Sequence, residues 1–408
     1  MLAAITAVVL FVSGCEKAPG EDNTYEPIVL SAEQGAMVTS GNTFALSLLG
    51  RVDAEEDGNY MISPMSIQFV LGMLLNGASP EAAEEIIQVL GFKDNNVATV
   101  NDFFGRLINE MPYLDKKTQV TTARSVLSSI KCPLSKTYIS AVSSNYSALC
   151  ESVDFSKSAA VREKVNTWCA QHTNGMIKEM ITKEEESSLS NYVALLLDAT
   201  WFKGTWADRF DKNDSKKDIF TLADGSTRKV KYMNKVAVQQ VASIADVGTA
   251  LKLPYGNGAY SMIIVLPVEG KSTTDLCQVL QTSPLAEWKF LHTKVDASIP
   301  VFEVESSFEL SAILQKMGLV KTFGGGAFHS MFERGAGVGI SVVKQKTAIR
   351  VDEEGTEAAA VTEVGMGVGA APSGGSMPIL VFHANRPFLF IIMEDSTRAI
   401  LFAGAYRG

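Results

Sequence analysis

The chain has 408 residues, 46% of them hydrophobic and 20% charged, enough to bury one large core, and neither an internal repeat nor a Pro/Ser-rich linker divides it. Its net charge is −9 and its Lys and Arg residues form no cluster, so it offers no basic patch for phosphates and no nucleic-acid partner is expected. There is no GxSxG, no HExxH and no glycine-rich phosphate loop, and none of the four histidines lies near a nucleophile motif; we expect no enzyme activity, no metal and no cofactor.

Leu2 to Val12 is an apolar run too short to cross a bilayer as a stable helix. It leads into Val12-Ser13-Gly14-Cys15, which resembles the lipobox of bacterial lipoprotein signal peptides. That resemblance implies cleavage before Cys15 and a lipid on its thiol. The protein would then be exported and held by this anchor alone on a bacterial membrane, the outer one, at its periplasmic or cell-surface face. The start of the run carries no Lys or Arg, a departure from such signals. On this reading residues 1–15 are the signal, 16–35 a polar tether and 36–408 a single domain. Cys132, Cys150, Cys169 and Cys277 remain; with no CxxC and no ligand spacing, they read as buried free thiols.

Gly41 to Leu49 begins an amphipathic helix. Ser63 and Pro64 then open an apolar helix running through Gln68 to Gly77. Thr121 to Leu127 reads as a strand, a helical stretch follows, and Val161 to Met180 has helical spacing at Val165, Trp168 and Cys169. His172 on that helix has no partner at ligand spacing and reads as an ordinary helix histidine. Val193 to Trp206, ending in Phe202-Lys203-Gly204-Thr205-Trp206, is a continuous apolar strand with Asp198 in its middle, followed by a turn; Trp168, Trp201 and Trp206 all read as core. Asp275 to Leu285 reads as helix and turn, and Phe388 to Met393 with Ala399 to Gly404 as a hairpin around Glu394-Asp395-Ser396.

Glu353 to Phe388 combines strand chemistry with glycine. Thr356, Ala358, Ala360, Thr362, Val364, Met366 and Val368 are small or apolar, whereas the alternate positions hold Glu357, Glu363 and the glycines Gly365, Gly367 and Gly369. Side chains alternate across a strand, so the segment could bury one face and keep both carboxylates in water. Gly369 to Ser376 is flexible-linker composition. From pattern alone this is either a latent strand or a long surface loop.

The run Glu353-Glu354-Gly355-Thr356-Glu357-Ala358-Ala359-Ala360 resembles the hinge of the serpin reactive-centre loop, and Phe382 to Ile392 resembles the segment that follows that loop. Tyr60 to Ile67, Leu74 to Phe92, the FKGxW run, Leu253-Pro254-Tyr255, Ser261 to Pro267, Ile299 to Phe302 and Gly318-Leu319 extend the match from about residue 40 to the end. The resemblance, to a bacterial lipoprotein branch of the family, implies an α+β serpin fold with three β-sheets, about eight to nine helices and an exposed loop over about residues 353–381. The chain departs from the family at three polar positions beneath the main sheet. Asp198 stands where Asn is usual, Gln345, two residues before the strand leading to the hinge, stands for His, and Ala123-Arg124 replaces Ala-Asn. A buried unpaired Asp is costly, so we expect Arg124, Asp198 and Gln345 to join Ser63 or Ser66 in one hydrogen-bonded shutter cluster.

For function the resemblance implies a monomeric, irreversible suicide inhibitor of endopeptidases. A protease attacks the loop, forms an acyl-enzyme, and is carried off as the cleaved loop becomes a new strand. Counting forward from the hinge places the cut near Gly369-Ala370, whereas counting back from Pro378 places it near Gly374-Gly375, five residues away. Five extra residues at ~3.3 Å each leave about 16 Å of slack, which favours the hinge count and makes Met366, Val368, Gly369 and Ala370 the P1 candidates. No Lys or Arg lies between Glu357 and Asn385, so elastase-like and subtilisin-like enzymes are the expected partners, with papain-like cysteine proteases a further class. The alternatives are a non-inhibitory serpin-fold binding protein and a surface lipoprotein that captures glycans or peptides.

Overall fold

The computed structural model describes residues 23–356 and 378–408, apart from 94, 284, 335, 336, 338 and 340–342. Among them are eight α-helices: α1 (Ala32–Glu55), α2 (Pro64–Leu75), α3 (Pro80–Leu90), α4 (Val97–Glu110), α5 (Lys136–Tyr146), α6 (Ser158–His172), α7 (Thr273–Leu280) and α8 (Ser311–Met317). The strands are β1 (Tyr60–Ile62), β2 (Thr118–Ser129), β3 (Leu149–Val153), β4 (Ala194–Thr205), β5 (Lys216–Thr221), β6 (Thr227–Ile244), β7 (Gly248–Tyr255), β8 (Tyr260–Pro267), β9 (Leu291–Pro300), β10 (Phe302–Glu309), β11 (Lys344–Val351), β12 (Gly355–Thr356), β13 (Leu380–His383), β14 (Phe388–Glu394) and β15 (Ile400–Tyr406).

Local chemistry sets the helix ends. Ser31 caps α1 through a reciprocal box with Gln34, and Ser63 caps α2 by accepting from the Ser66 amide, with Pro64 in the first turn where no intrahelical donor is needed. α6 stops at His172, short of the expected Met180, because Asn174 and Gly175 adopt φ of 50° and 77°. On α6, Val161, Val165 and Cys169 are buried, and Trp168 is half-buried, tilted against His172 with the ring centroids 4.7 Å apart. It packs against the edge of the core formed by Val161, Val165 and Cys169 and covers the half-buried His172.

The main sheet has six strands in the order β10-β11-β12-β4-β2-β3, all antiparallel except β2–β3. The other nine strands share β6. Its first part pairs with β5 and β9, and β13 lies beyond β9; its last five residues pair with β7, followed by β8, β14, β15 and β1. With β6 serving two sheets, the chain has the expected three-sheet α+β architecture. β8, β14 and β15 are buried along their whole length, as continuous apolar runs require when both faces are covered. Phe202 of the main sheet packs edge-on against Tyr255 and Tyr260 of the second sheet, at 5.0 and 5.8 Å. On the opposite face Leu127 and Leu197 pack under α6.

The segment expected as a tether is docked from Asn23 onward. Asn23 donates to Asp115 at 2.7 Å, Tyr25 donates to Glu394 at 3.0 Å, Ile28 is buried, and α1 already begins at Ala32. The folded unit therefore starts ahead of residue 36, because Asn23 finds partners around Asp115 and Tyr25 and Ile28 find theirs on the C-terminal hairpin. Cys15 lies outside the described residues. Cys132, Cys150, Cys169 and Cys277 are free thiols, and burial pushes Cys169 up to about 12.

Candidate functional site: a slot in the main sheet

β12 is two residues long and lies between β11 and β4. Gly355 faces Thr205, Thr356 faces Gly204 on one side, and Thr356 faces Val351 on the other. Thr356 is buried, and its hydroxyl meets that of Tyr255 at 2.6 Å. Gly355 has φ of 152°, and a Cβ there would collide with the Gly204 carbonyl oxygen; only glycine lets the chain pass this close. Trp206 holds the entrance. Its indole stacks on Tyr255 at 4.5 Å, its Nε1 donates to the Asp352 carbonyl at 2.8 Å, and its amide donates to the Glu354 carbonyl at 2.9 Å.

Two lysines grip the two acids that precede Gly355. Glu353 accepts from Lys231 at 2.5 Å and from the Ser215 hydroxyl at 2.6 Å, and Glu354 pairs with Lys212. Burial alone would raise the Glu353 carboxyl, but Lys231 and Ser215 outweigh it and hold it below its ordinary 4.5.

Below β12 the sheet is open. Among the described residues no ladder joins β4 directly to β11, and Ala194, Leu195 and Leu196 are only half-buried although they are aliphatic and mid-sheet. They line a cavity of about 470 Å³ shared with Ser66, Asp198 and Gln345.

Those last three belong to the expected cluster, and the structure brings it together in two linked halves. Gln345 receives the Ser63 amide and donates to the Ser63 carbonyl, both at 2.9 Å. Asp198 accepts from the Ser66 hydroxyl and, at 2.5 Å, from that of Thr200; Arg124 Nη1 lies 3.5 Å from its other oxygen. Arg124 Nε donates to the Tyr146 carbonyl at 2.6 Å, and the guanidinium sits 5.0 Å over the Phe69 ring. The Ser63 hydroxyl, accepting from the Ser66 amide at 3.3 Å, joins the halves. The Arg124 and Asp198 side chains are only 1% and 2% exposed. Burial raises the Asp198 carboxyl while Arg124, Ser66 and Thr200 oppose it, and burial also lowers Arg124. Gln345 is the second residue of β11, not a residue ahead of it, because the pairing with β10 extends to Lys344 opposite Glu309. Both strands that border the slot are thus tied to the N-terminus of α2.

A family model described as serpin (serine protease inhibitor) matches residues 39–407. The chain belongs to the serpin family. It is 32% identical to human serpin B3 over 90% of its own length and 98% of that protein, and 30% identical to serpin-Z10 of Arabidopsis thaliana over 91% and 98%. Among solved structures, this serpin is similar to the thermophilic serpin tengpin in its native state (TM-score 0.81, 25% identity, covering 95% of this chain and 97% of tengpin). It is also similar to thyroxine-binding globulin in complex with thyroxine (TM-score 0.80, 25% identity, 91% and 99%).

Of the hinge residues, Glu353, Glu354, Gly355 and Thr356 are the ones just described; Glu357, Ala358, Ala359 and Ala360 lie outside the described residues, as do the P1 candidates Met366, Val368, Gly369 and Ala370. Sequence reasoning missed the hinge partners Lys212, Ser215 and Lys231. It placed Trp206 and Tyr255 in matching segments without seeing that they stack at the slot entrance. A signal existed only in the excess of lysine around β5 and β6 facing two consecutive glutamates.

Proposed function

We propose that this serpin is an irreversible inhibitor of endopeptidases that traps the acyl-enzyme by inserting its cleaved loop into the slot. The observation that carries this reading is the register of β12. Continued past Thr356, the pairing Thr356–Gly204 puts Thr362 opposite Asp198 and Met366 opposite Ala194, the first residue of β4. On the other side, the pairing Thr356–Val351 brings the same Thr362 opposite Gln345. The inserting strand thus turns the same face inward as Thr356, places only small or apolar side chains there, and brings one hydroxyl between the two ends of the buried polar cluster.

The register also bears on the cut. A strand filled to Met366 uses the whole of β4, so cleavage after Met366 leaves no slack and cleavage after Val368, Gly369 or Ala370 leaves two to four residues beyond the sheet, whereas cleavage after Gly374 would leave eight. The loop's Val, Ala, Gly and Met side chains suit the shallow apolar pockets of elastase-like and subtilisin-like serine proteases, and papain-like cysteine proteases form the same kind of acyl-enzyme. Lipidation at Cys15 would hold the inhibitor, as a monomer, at the outer membrane of a bacterium; mass spectrometry of the N-terminal peptide from the membrane fraction tests this.

The test of inhibition is to mix the purified protein with titrated elastase, resolve the products on denaturing gels and identify the released C-terminal peptide. A complex that survives SDS, with cleavage after one of residues 366–370, is expected. Loop cleavage with fully active protease left over, for elastase, subtilisin and papain alike, would leave the non-inhibitory reading, which the likeness to thyroxine-binding globulin supports.

A further inference from the structure

The sheet formed by β5, β6, β9 and β13 turns one face to water, and that face carries four exposed aliphatic side chains among its polar ones. Val236 and Val238 of β6, Val381 of β13 and Ile379 just before it are 56%, 55%, 64% and 51% exposed. Val236 and Val381 are both paired with Asp296 of β9, and Val238 is paired with Lys294. Directly paired residues point to the same side of a sheet, so two aliphatic columns flank a charged one. His383, two residues beyond Val381, lies 3.5 Å from Asp296 at its margin. The opposite face carries Val295, Ala297 and Phe382, all buried. The sheet therefore alternates as half-buried sheets do, but with β-branched aliphatics where polar groups are normal. Of thirteen exposed large hydrophobics among the described residues, these four share one face. Such clustering marks an interaction surface.

Chain connectivity says what covers it. β13 takes up the chain directly after the reactive loop. The candidate cleavage positions 366–370 precede residue 378 by eight to twelve residues, a reach of at most about 40 Å at ~3.3 Å per residue. A protease that holds the loop in its cleft has the residues after the scissile bond leading straight from its leaving-group side to Ile379 and Val381.

We propose that this face is a docking surface for the attacking protease. It would take an apolar rim on the leaving-group side of the enzyme's cleft, with a basic group for Asp296 and an acidic one for Lys294. The inference rests on the inhibitory reading for the identity of the partner. The contact belongs to the encounter: once the loop is cut, its C-terminal part stays with β13 while the enzyme leaves with the inserted strand. The face therefore governs how fast the complex forms and not how long it lasts.

The experiment uses elastase, subtilisin and papain whose catalytic nucleophile is replaced by alanine, which separates docking from trapping. Affinities are measured for the protein, for V236K/V238K/V381K, for the milder V236T/V381T, and for a synthetic peptide of residues 357–377. Near-ultraviolet circular dichroism and melting temperature check that the variants are folded. At least one inactive enzyme is expected to bind the protein about tenfold or more tighter than the peptide, as burial of three aliphatic side chains implies. The triple lysine variant should fall back to the peptide's level and V236T/V381T should lie between. With the active enzyme, the association rate should drop by the same factor at unchanged stoichiometry. Equal affinity of protein and peptide, or of protein and triple variant, overturns the proposal. So does a protein that is dimeric at micromolar concentration and becomes monomeric on the same substitutions, which would assign the face to a second copy. Docking that responds to the substitutions while active enzymes form no SDS-stable complex would refute the inhibitory reading and leave the docking surface standing.

Discussion

Two levels of the slot are held by opposite physics. At the top, around β12, the fastening is an aromatic stack plus ion pairs whose lysines face water: Lys231 is about half exposed and Lys212 more so. Lower down, around Asp198, every group is buried and each charge is met by a charge or a hydroxyl. Exposed pairs are weak and screened by salt, whereas a buried set costs little while complete and much when broken. The top can therefore open first and cheaply, and the lower cluster sets the resistance to further parting of the sheet.

Breaking the lower cluster should have the largest effect. Asp198→Ala leaves Arg124 charged in the core without its carboxylate, and denaturant unfolding should show a loss of ~3–5 kcal/mol. The double replacement Arg124→Met with Asp198→Leu should recover most of that loss; failure to recover would mean that Ser66 and Thr200, and not the ion pair, carry the cluster. Next, Trp206→Ala removes the stack and the bond to the Asp352 carbonyl and should cost about 3 kcal/mol, with amide exchange accelerating at Gly204 and Thr205.

Gly355→Ala should expel β12 at a cost of about 1–3 kcal/mol, read as faster proteolysis near residue 355 with little change at Gln345. The smallest effect is electrostatic. Lys231→Ala should cost about 0.5 kcal/mol at low ionic strength and almost nothing in molar salt. Acid should act at the same place. The Glu353 carboxyl is held below 4.5, so its contribution is fully present above that value and is lost as pH falls through its lowered folded pKa. Trp206 fluorescence followed from pH 6 to 3 should report the hinge loosening, and Glu353→Gln should remove that transition. A protein whose lower cluster responds to salt as strongly as its hinge would erase the distinction.

Much of this was legible in the chain. The apolar run of β4 with one acid in its middle announced both a buried strand and the need for a partner, and Arg124 was the cation available on a neighbouring strand. Ser63 and Pro64 marked the start of α2 through capping chemistry that needs only adjacent residues. The docking of residues 23–31 was not legible, because polar composition looks the same whether side chains meet water or distant segments of the chain. The hinge clamp was hidden for a related reason: Lys231 and Glu353 are more than a hundred residues apart, and no local pattern pairs them.

The sequence by itself determined the family, the helix starts, the period-two alternation of the hinge and the chemical demand that Asp198 not be left alone. Only the tertiary structure decided that the chain already enters the sheet at Gly355 and Thr356, that Gln345 and Asp198 hang from the same helix N-terminus, and that Val236 and Val381 face water on either side of Asp296. Propensities, caps and alternation act between near neighbours and are written in order along the chain. Strand register and the meeting of charges depend on which distant segments the core brings to a common plane.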